Sequence, residues 1–335
     1  MTAVVPDQGI DKASLLGPRL VGGGDRPDAA GQLVRFDFRD HDPTAPHAGC
    51  DLAWLGGDGS AEIWELTVPS AFSNTDGRLS MSCGADVALV AMRFRDPGAR
   101  ELAEVTRRAY TAILTKAAQA GYPWMLRTWH FLPAINQGEG DAERYRLFCV
   151  GRQQAVSDFA ISQLGAATAV GTHGDDVTIH MLVGRRPGEP IENPRQVPAY
   201  QYPRAYGPSR PAFARAVAVP QADDCWGLMV SGTASVVGHE TQHPGRAMPQ
   251  LDETIANLSA LLGRAAELLG DPSLAEFGAQ SCLRVYARCA QDWPAVADRL
   301  RAVWPAAGLV GLEADICRSD LAIEIEAYHR GLRPA

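Results

Sequence analysis

Residues 213–235 read F-A-R-A-V-A-V-P-Q-A-D-D-C-W-G-L-M-V-S-G-T-A-S, two apolar runs of strand length separated by a short polar break. The runs predict strands at 213–219 and 226–233. Downstream, a leucine-rich helical pattern occupies 251–269, followed by a strand at 281–288, a helix at 293–303, a strand at 308–315 and a terminal strand at 321–327. Upstream, residues 185–211 hold seven prolines among tyrosines and arginines, a composition that makes neither a helix nor a central strand. Before it come strands at 61–68 and 86–95, then a helix with Leu102, Val105, Ala109, Ile113 and Ala117 on one stripe, set between Pro97 and Gly121. A strand at 124–132, a second helix at 141–164 and strands at 166–171 and 177–183 complete that half. Residues 18–60 are rich in Gly, Pro, Asp and His and read as irregular surface. The triple glycine Gly22 to Gly24 is followed by charges, so it is not a phosphate loop.

The expected class is α+β with α/β-type layers, one helix per strand or two. Long helix, strand and helix recur in both halves, which suits two related units facing each other. The expected division is 1–184 with its irregular start, the connection 185–211, and a C-terminal domain at 212–335.

The 335 residues are 46% hydrophobic and 21% charged, ordinary globular usage that excludes disorder, collagen and coiled coil. A formal charge of -8 provides no basic field for nucleic acid or an anionic membrane, so an anionic ligand must be met by local arginines. Seven cysteines, an odd number with no C-x-x-C pair, fit reduced thiols and a cytoplasmic protein. No targeting segment or apolar run of membrane length is visible.

Four constellations bear on chemistry. His239-Glu240-Thr241-Gln242-His243 satisfies H-E-x-x-H, which on a helix would present two imidazoles to zinc, with Glu253 as the third ligand of a metallopeptidase. Gly238 before it and Pro244-Gly245 after it oppose a helix; a polar loop, or a histidine at a pocket rim, is the other reading. Tyr145, Phe148, Arg152, Ala155 and Phe159 form a core-facing helical stripe with a guanidinium in its middle. A buried Arg requires an anion, either a structural carboxylate or that of a ligand. Tyr200, Tyr202, Arg204, Tyr206, Arg210 and Arg215 interleave aromatic platforms with charges, which suits a small anionic ring or plain surface packing. In the terminal strand, Glu324 and Glu326 share one face and Ile323 and Ile325 the other. At a pocket, Glu324 would be a desolvated acid with raised pKa; on an exposed face both glutamates merely solvate the sheet.

Segments 213–220, 226–235, 251–262 and 320–327 (D-L-A-I-E-I-E-A) resemble the RidA (YjgF) superfamily. The chain from about 120 onward resembles the chorismatases through L-R-T-W-H-F-L-P-A-I-N (126–136), Y-R-L-F-C-V-G-R (145–152), E-N-P-R-Q-V-P-A-Y-Q-Y-P-R-A-Y-G-P (192–208), S-G-T-A-S-V-V-G-H-E-T-Q-H (231–243) and C-R-S-D-L-A-I-E-I-E (317–326). Together these resemblances imply two RidA/YjgF-like units with mixed sheets under long helices, and cleavage of chorismate to pyruvate and a ring product. They imply Glu324 as the acid that protonates the enolpyruvyl methylene, Arg152 and Arg215 on the two carboxylates, and Tyr206, Arg204 and Tyr200 about the ring. Thr233, Ala234 and Cys317 would line the pocket. Ala234 and Cys317 would decide between hydroxybenzoate (3-hydroxybenzoate, with 4-hydroxybenzoate also open), which Cys317 favours, and the hydrolytic dihydroxycyclohexadiene carboxylate, which Ala234 leaves open. Competing readings are the zinc peptidase and a RidA-like metabolite-binding module. No metal or other cofactor is expected, chorismate is the expected small-molecule partner, and monomer and trimer both remain open.

Overall fold

A computed structural model describes residues 15–22, 32–38, 51–66, 71–75, 78–221 and 225–332. Strands and helices are numbered in chain order. One seven-stranded sheet runs β18 (Asp315–Ile316), β9 (Ala166–Thr172), β8 (Trp124–Pro133), β10 (Asp176–Gly184), β7 (Val87–Arg95), β6 (Leu79–Cys83) and β5 (Ala71–Thr75). The other runs β11 (Glu189–Ile191), β12 (Ala216–Pro220), β13 (Trp226–Ala234), β19 (Ile323–Arg330), β16 (Ser281–Ala287), β17 (Gly308–Glu313) and β3 (Ala53–Gly57). A three-stranded sheet, β1 (Leu15–Val21), β4 (Ala61–Leu66) and β2 (Gln32–Asp37), and a hairpin, β14 (Val236–Val237) with β15 (Glu240–Thr241), complete the strands. The helices are α1 (Ala99–Gln119), α2 (Arg144–Ala155), α3 (Ala247–Leu269) and α4 (Trp293–Val303).

The two large sheets repeat one plan. In each, the chain makes two antiparallel strands, a long helix, a strand, a shorter helix and a strand parallel to the last, then inserts the final strand in the middle. The parallel pairs are β8 with β9 and β16 with β17. The inserted strands are β10 and β19. The fold is thus α+β with mixed sheets under long helices, as the patterning predicts.

Alternation then settles which face goes where. Val177, Ile179, Met181 and Val183 of β10 pack with Leu102, Ala109, Ile113 and Ala117 of α1. Ile323, Ile325 and Ala327 of β19 pack with Leu251, Leu258 and Leu262 of α3. Each such leucine contributes about 1.5–3 kcal/mol by leaving water. The opposite faces meet in a core shared by both sheets, where Leu126, Trp129, Phe131 and Leu182 contact Val217, Met229, Tyr286 and Tyr328. Helices α1 and α2 approach closely enough that a Cβ on Gly151 would stand 2.0 Å from the Ala103 carbonyl oxygen.

Two sequence expectations need correction. Residues 18–60, read as irregular, contribute β1, β2 and β3, with Leu33, Val34 and Phe36 buried against the shared core. Cys50, Gly23 and Gly24 lie outside the described residues. Helix 141–164 is shorter than its apolar stripe suggested, because α2 ends at Ala155, where the Ser157 hydroxyl donates to the Gln154 carbonyl and competes with the helical ladder. No helix among the described residues is long and apolar enough to cross a membrane.

Candidate active site

The sheets approach where β9 passes β13: the Ala167 amide donates to Ser231 Oγ at 2.8 Å and the Gly232 amide to Thr168 Oγ1 at 2.9 Å. A cavity of about 250 Å³ opens there, walled by β13, the 202–215 turn and the segment after β18. A recess of about 40 Å³ continues inward toward α2 and β8. Both chambers are lined by Gly232, Cys317 and Glu324.

Glu324 projects from β19 into the space between the sheets and is 4% exposed. It has no hydrogen-bond partner among the described residues. Burial, then the charge of Glu326, pushes its carboxyl up to about 8 against the opposing pull of Arg127, Arg215 and Arg318, so it is largely protonated at neutral pH. The neighbouring backbone makes room for it. A Cβ on Gly232 would stand 2.1 Å from Glu324 Oε1.

Glu326, one pleat along the same face, has the opposite environment. Its carboxylate accepts from Arg127 at 2.6 Å and from the Trp129 indole at 2.8 Å, and pairs with Arg284 at 3.2 Å. Arg284 in turn holds buried Glu62 at 2.7 Å.

Four arginines line the two chambers, of which Arg146 is paired with Glu143 at 2.9 Å; the other three are Arg152, Arg215 and Arg318. Arg152, buried on α2, lines the recess, and its Nε donates to the Tyr110 hydroxyl at 2.8 Å. Arg215, buried just before β12, donates to the Val197 carbonyl at 3.0 Å and the Tyr202 hydroxyl at 2.8 Å, while its Nε has no partner among the described residues. Half-buried Arg318 lies 4.3 Å over the Tyr206 ring and donates to the His239 carbonyl at 2.9 Å. None of the three pairs with a carboxylate among the described residues. The structural ion pair open to Arg152 on sequence grounds is therefore not formed there. Buried guanidinium groups without an anion are costly, and the arrangement is suited to a ligand that brings negative charge to more than one point.

Tyr206, Ala234 and Cys317 also line the larger chamber. Burial pushes the Cys317 thiol up, so it stands as a neutral wall. The other expected ring contacts lie elsewhere. Arg204 is exposed and forms a 2.5 Å ion pair with Asp141, because its short helical turn points it outward. Tyr200 packs against the core beneath α1 and α2. Thr233 falls on the wrong phase of β13: Gly232 and Ala234 face the cavity, and the Thr233 hydroxyl returns to the Ser231 carbonyl at 2.9 Å.

The H-E-x-x-H pentad lies across the β14–β15 hairpin rather than on a helix, and His243 has a left-handed φ of 53°. The two imidazoles therefore lack the shared helical face that zinc binding would use. His243 sits 3.7 Å from Glu253, and His239 Nδ1 is 3.4 Å from the Tyr206 hydroxyl at the rim.

Sequence reasoning missed Arg318, Phe213 and Gly232 as lining residues, although all three stand inside the quoted blocks. The signal for Gly232 was the only residue without a side chain between Ser231 and Ala234, beside strand β19. Arg318 adjoins Cys317 and could have been found as a charge next to an expected pocket wall.

Comparison with known proteins places the chain in a family. A family profile described as Chorismatase FkbO/Hyg5-like, N-terminal, matches residues 62–183. A 3-hydroxybenzoate synthase of Streptomyces hygroscopicus is 37% identical over 276 residues, 79% of this chain and 80% of that protein. A chorismatase of Streptomyces rapamycinicus is 35% identical over 280 residues, 79% and 81% of the two chains. The crystal structure of a chorismatase superposes with a TM-score of 0.77 at 27% identity, covering 94% of this chain and 99% of that one. The molecule is an enzyme with a buried acid in an arginine-lined cleft. It belongs to the chorismatase family.

Proposed function

We propose that the chain converts chorismate to pyruvate and 3-hydroxybenzoate, with Glu324 as the acid. One observation carries the reading: a neutral carboxylic acid, accepting and donating no hydrogen bond among the described residues, stands where two chambers meet and arginines without carboxylate partners ring it. An enol ether resists water until its methylene carbon is protonated, which leaves an oxocarbenium ion. Glu324 donates that proton, and its new carboxylate stabilises the cation beside it. Arg152 and Arg215 take the two carboxylates, and Tyr206 positions the ring.

From the cation, intramolecular attack by the neighbouring ring hydroxyl, release of pyruvate and loss of a ring proton yield hydroxybenzoate with no net consumption of water. Addition of water yields the dihydroxycyclohexadiene carboxylate instead. Ala234 and Cys317 face the chamber where that water would stand, so their size governs the choice. The relative named 3-hydroxybenzoate synthase supports the aromatic product. Six described cysteines carry free thiols, which supports a cytoplasmic setting.

The test is chorismate turnover followed by lactate dehydrogenase coupling for pyruvate, with and without chelator, and by chromatography of the ring product. Equal amounts of pyruvate and 3-hydroxybenzoate, unaffected by chelator, are expected. A dihydrodiol would overturn the product assignment, and no pyruvate would overturn the reaction.

A further inference from the structure

Behind Arg152 lies a row of buried polar groups that the proposed reaction leaves unused. Tyr110 of α1 is fully buried and stands between the Arg152 guanidinium and the His130 imidazole of β8. His130 Nδ1 lies 2.7 Å from the Thr168 carbonyl oxygen, which can only accept. Nδ1 therefore carries the proton. Burial, followed by the charge of Arg152, keeps the imidazole neutral, so Nε2 is an acceptor. The Tyr110 hydroxyl hydrogen-bonds to that Nε2 and must donate to it. Its oxygen is then free to accept from Arg152 Nε.

Every link in this row has one possible direction, running from Arg152 through Tyr110 and His130 to the β9 backbone. The rings enforce it sterically: Tyr110 and His130 are stacked with centroids 5.8 Å apart, and Phe148 closes on His130 at 5.0 Å. The remaining nitrogens of the Arg152 fork are left for the recess.

We propose that Tyr110 and His130 are positioning residues which fix the rotamer and aim of Arg152, so that its fork is presented to a substrate carboxylate before binding. This inference rests on the proposed reading of Arg152 as a carboxylate clamp. An arginine side chain carries several rotatable bonds, and ordering it in advance removes that cost from the binding step. The neutral tautomer matters as much as the contact. A protonated imidazole could not accept from Tyr110, and its charge would oppose the guanidinium.

Steady-state kinetics on full-length variants with chorismate tests this. Tyr110→Phe should raise KM about tenfold with kcat within about threefold of wild type, because the loss is in substrate binding. In an Arg152→Ala background the same change should add less than twofold, since Tyr110 acts only through that arginine. A tenfold effect that persists in the Arg152→Ala background, or a fall in kcat at unchanged KM, would overturn the proposal. His130→Gln retains an acceptor toward Tyr110 and should keep KM within about threefold, whereas His130→Leu should match Tyr110→Phe. Equal KM values for the two His130 variants would also overturn it. If Arg152→Ala itself leaves KM unchanged, the clamp reading fails and the positioning role with it. A raised KM for Arg152→Ala beside a normal Tyr110→Phe sinks the positioning role alone.

Discussion

β10 and β19 occupy the same place in two sheets of the same plan, yet they present opposite chemistry to the space between them. β10 shows Thr178, His180 and Leu182, and His180 packs against Phe36 and Phe131 at 5.1 and 5.9 Å between centroids. β19 shows Glu324, Glu326 and Tyr328. One copy of the plan thus makes closed core, and the other makes a wall for chemistry. Within β19 the contrast repeats at shorter range. Glu326 is held by two arginines and an indole, while Glu324, one pleat away, has no hydrogen-bond partner among the described residues and faces a cavity across Gly232. An acid is made here by withholding partners rather than by adding them.

That contrast can be broken most severely at Glu324 itself. Glu324→Gln should lower pyruvate formation by at least about a hundredfold to ten-thousandfold, the usual contribution of a general acid, with far-ultraviolet circular dichroism unchanged. Near-normal turnover would remove Glu324 as the acid. Next in size is Gly232→Ala, whose methyl would stand 2.1 Å from Glu324 Oε1 and force that side chain to move, which should reduce kcat about tenfold to a hundredfold while costing about 1–3 kcal/mol in denaturant unfolding.

A subtler effect follows from the raised carboxyl. The folded state favours protonated Glu324 over the ordinary carboxyl value of 4.5, so this preference stabilises fully below that value and is lost as pH rises toward about 8. Glu324→Gln should therefore gain Tm relative to wild type as pH increases from 5 to 9, and wild-type kcat/KM should be flat below about 8 and fall above it. A difference in Tm independent of pH would contradict the buried neutral acid. Smallest of all, Arg204→Ala should change kcat and KM less than twofold, because an exposed pair with Asp141 contributes little.

Much of this is legible in the sequence alone. The stripes of α1 and α3 and the alternation of β19 follow from local periodicity and are realised, and Arg152 is buried as its place in a core-facing stripe predicts. What could not be read depends on distant partners. β3 contains Gly56 and Gly57 and is a strand only because β17 offers a free edge some 250 residues later. The facing of Thr233 turns on strand phase near a register shift between β13 and β19, where one residue of slip exchanges the faces. Arg204 and Arg215 look alike in sequence; a turn sends the first outward while a strand start carries the second inward.

The exchange of edge strands has a consequence for how the enzyme comes into being. β3 waits for β17, β18 crosses back to β9, and Glu324 lies on β19, the last strand among the described residues. With closures between segments so far apart in sequence, folding is expected to be slow. The pocket around Glu324 thus takes shape only once strands distant in sequence have met.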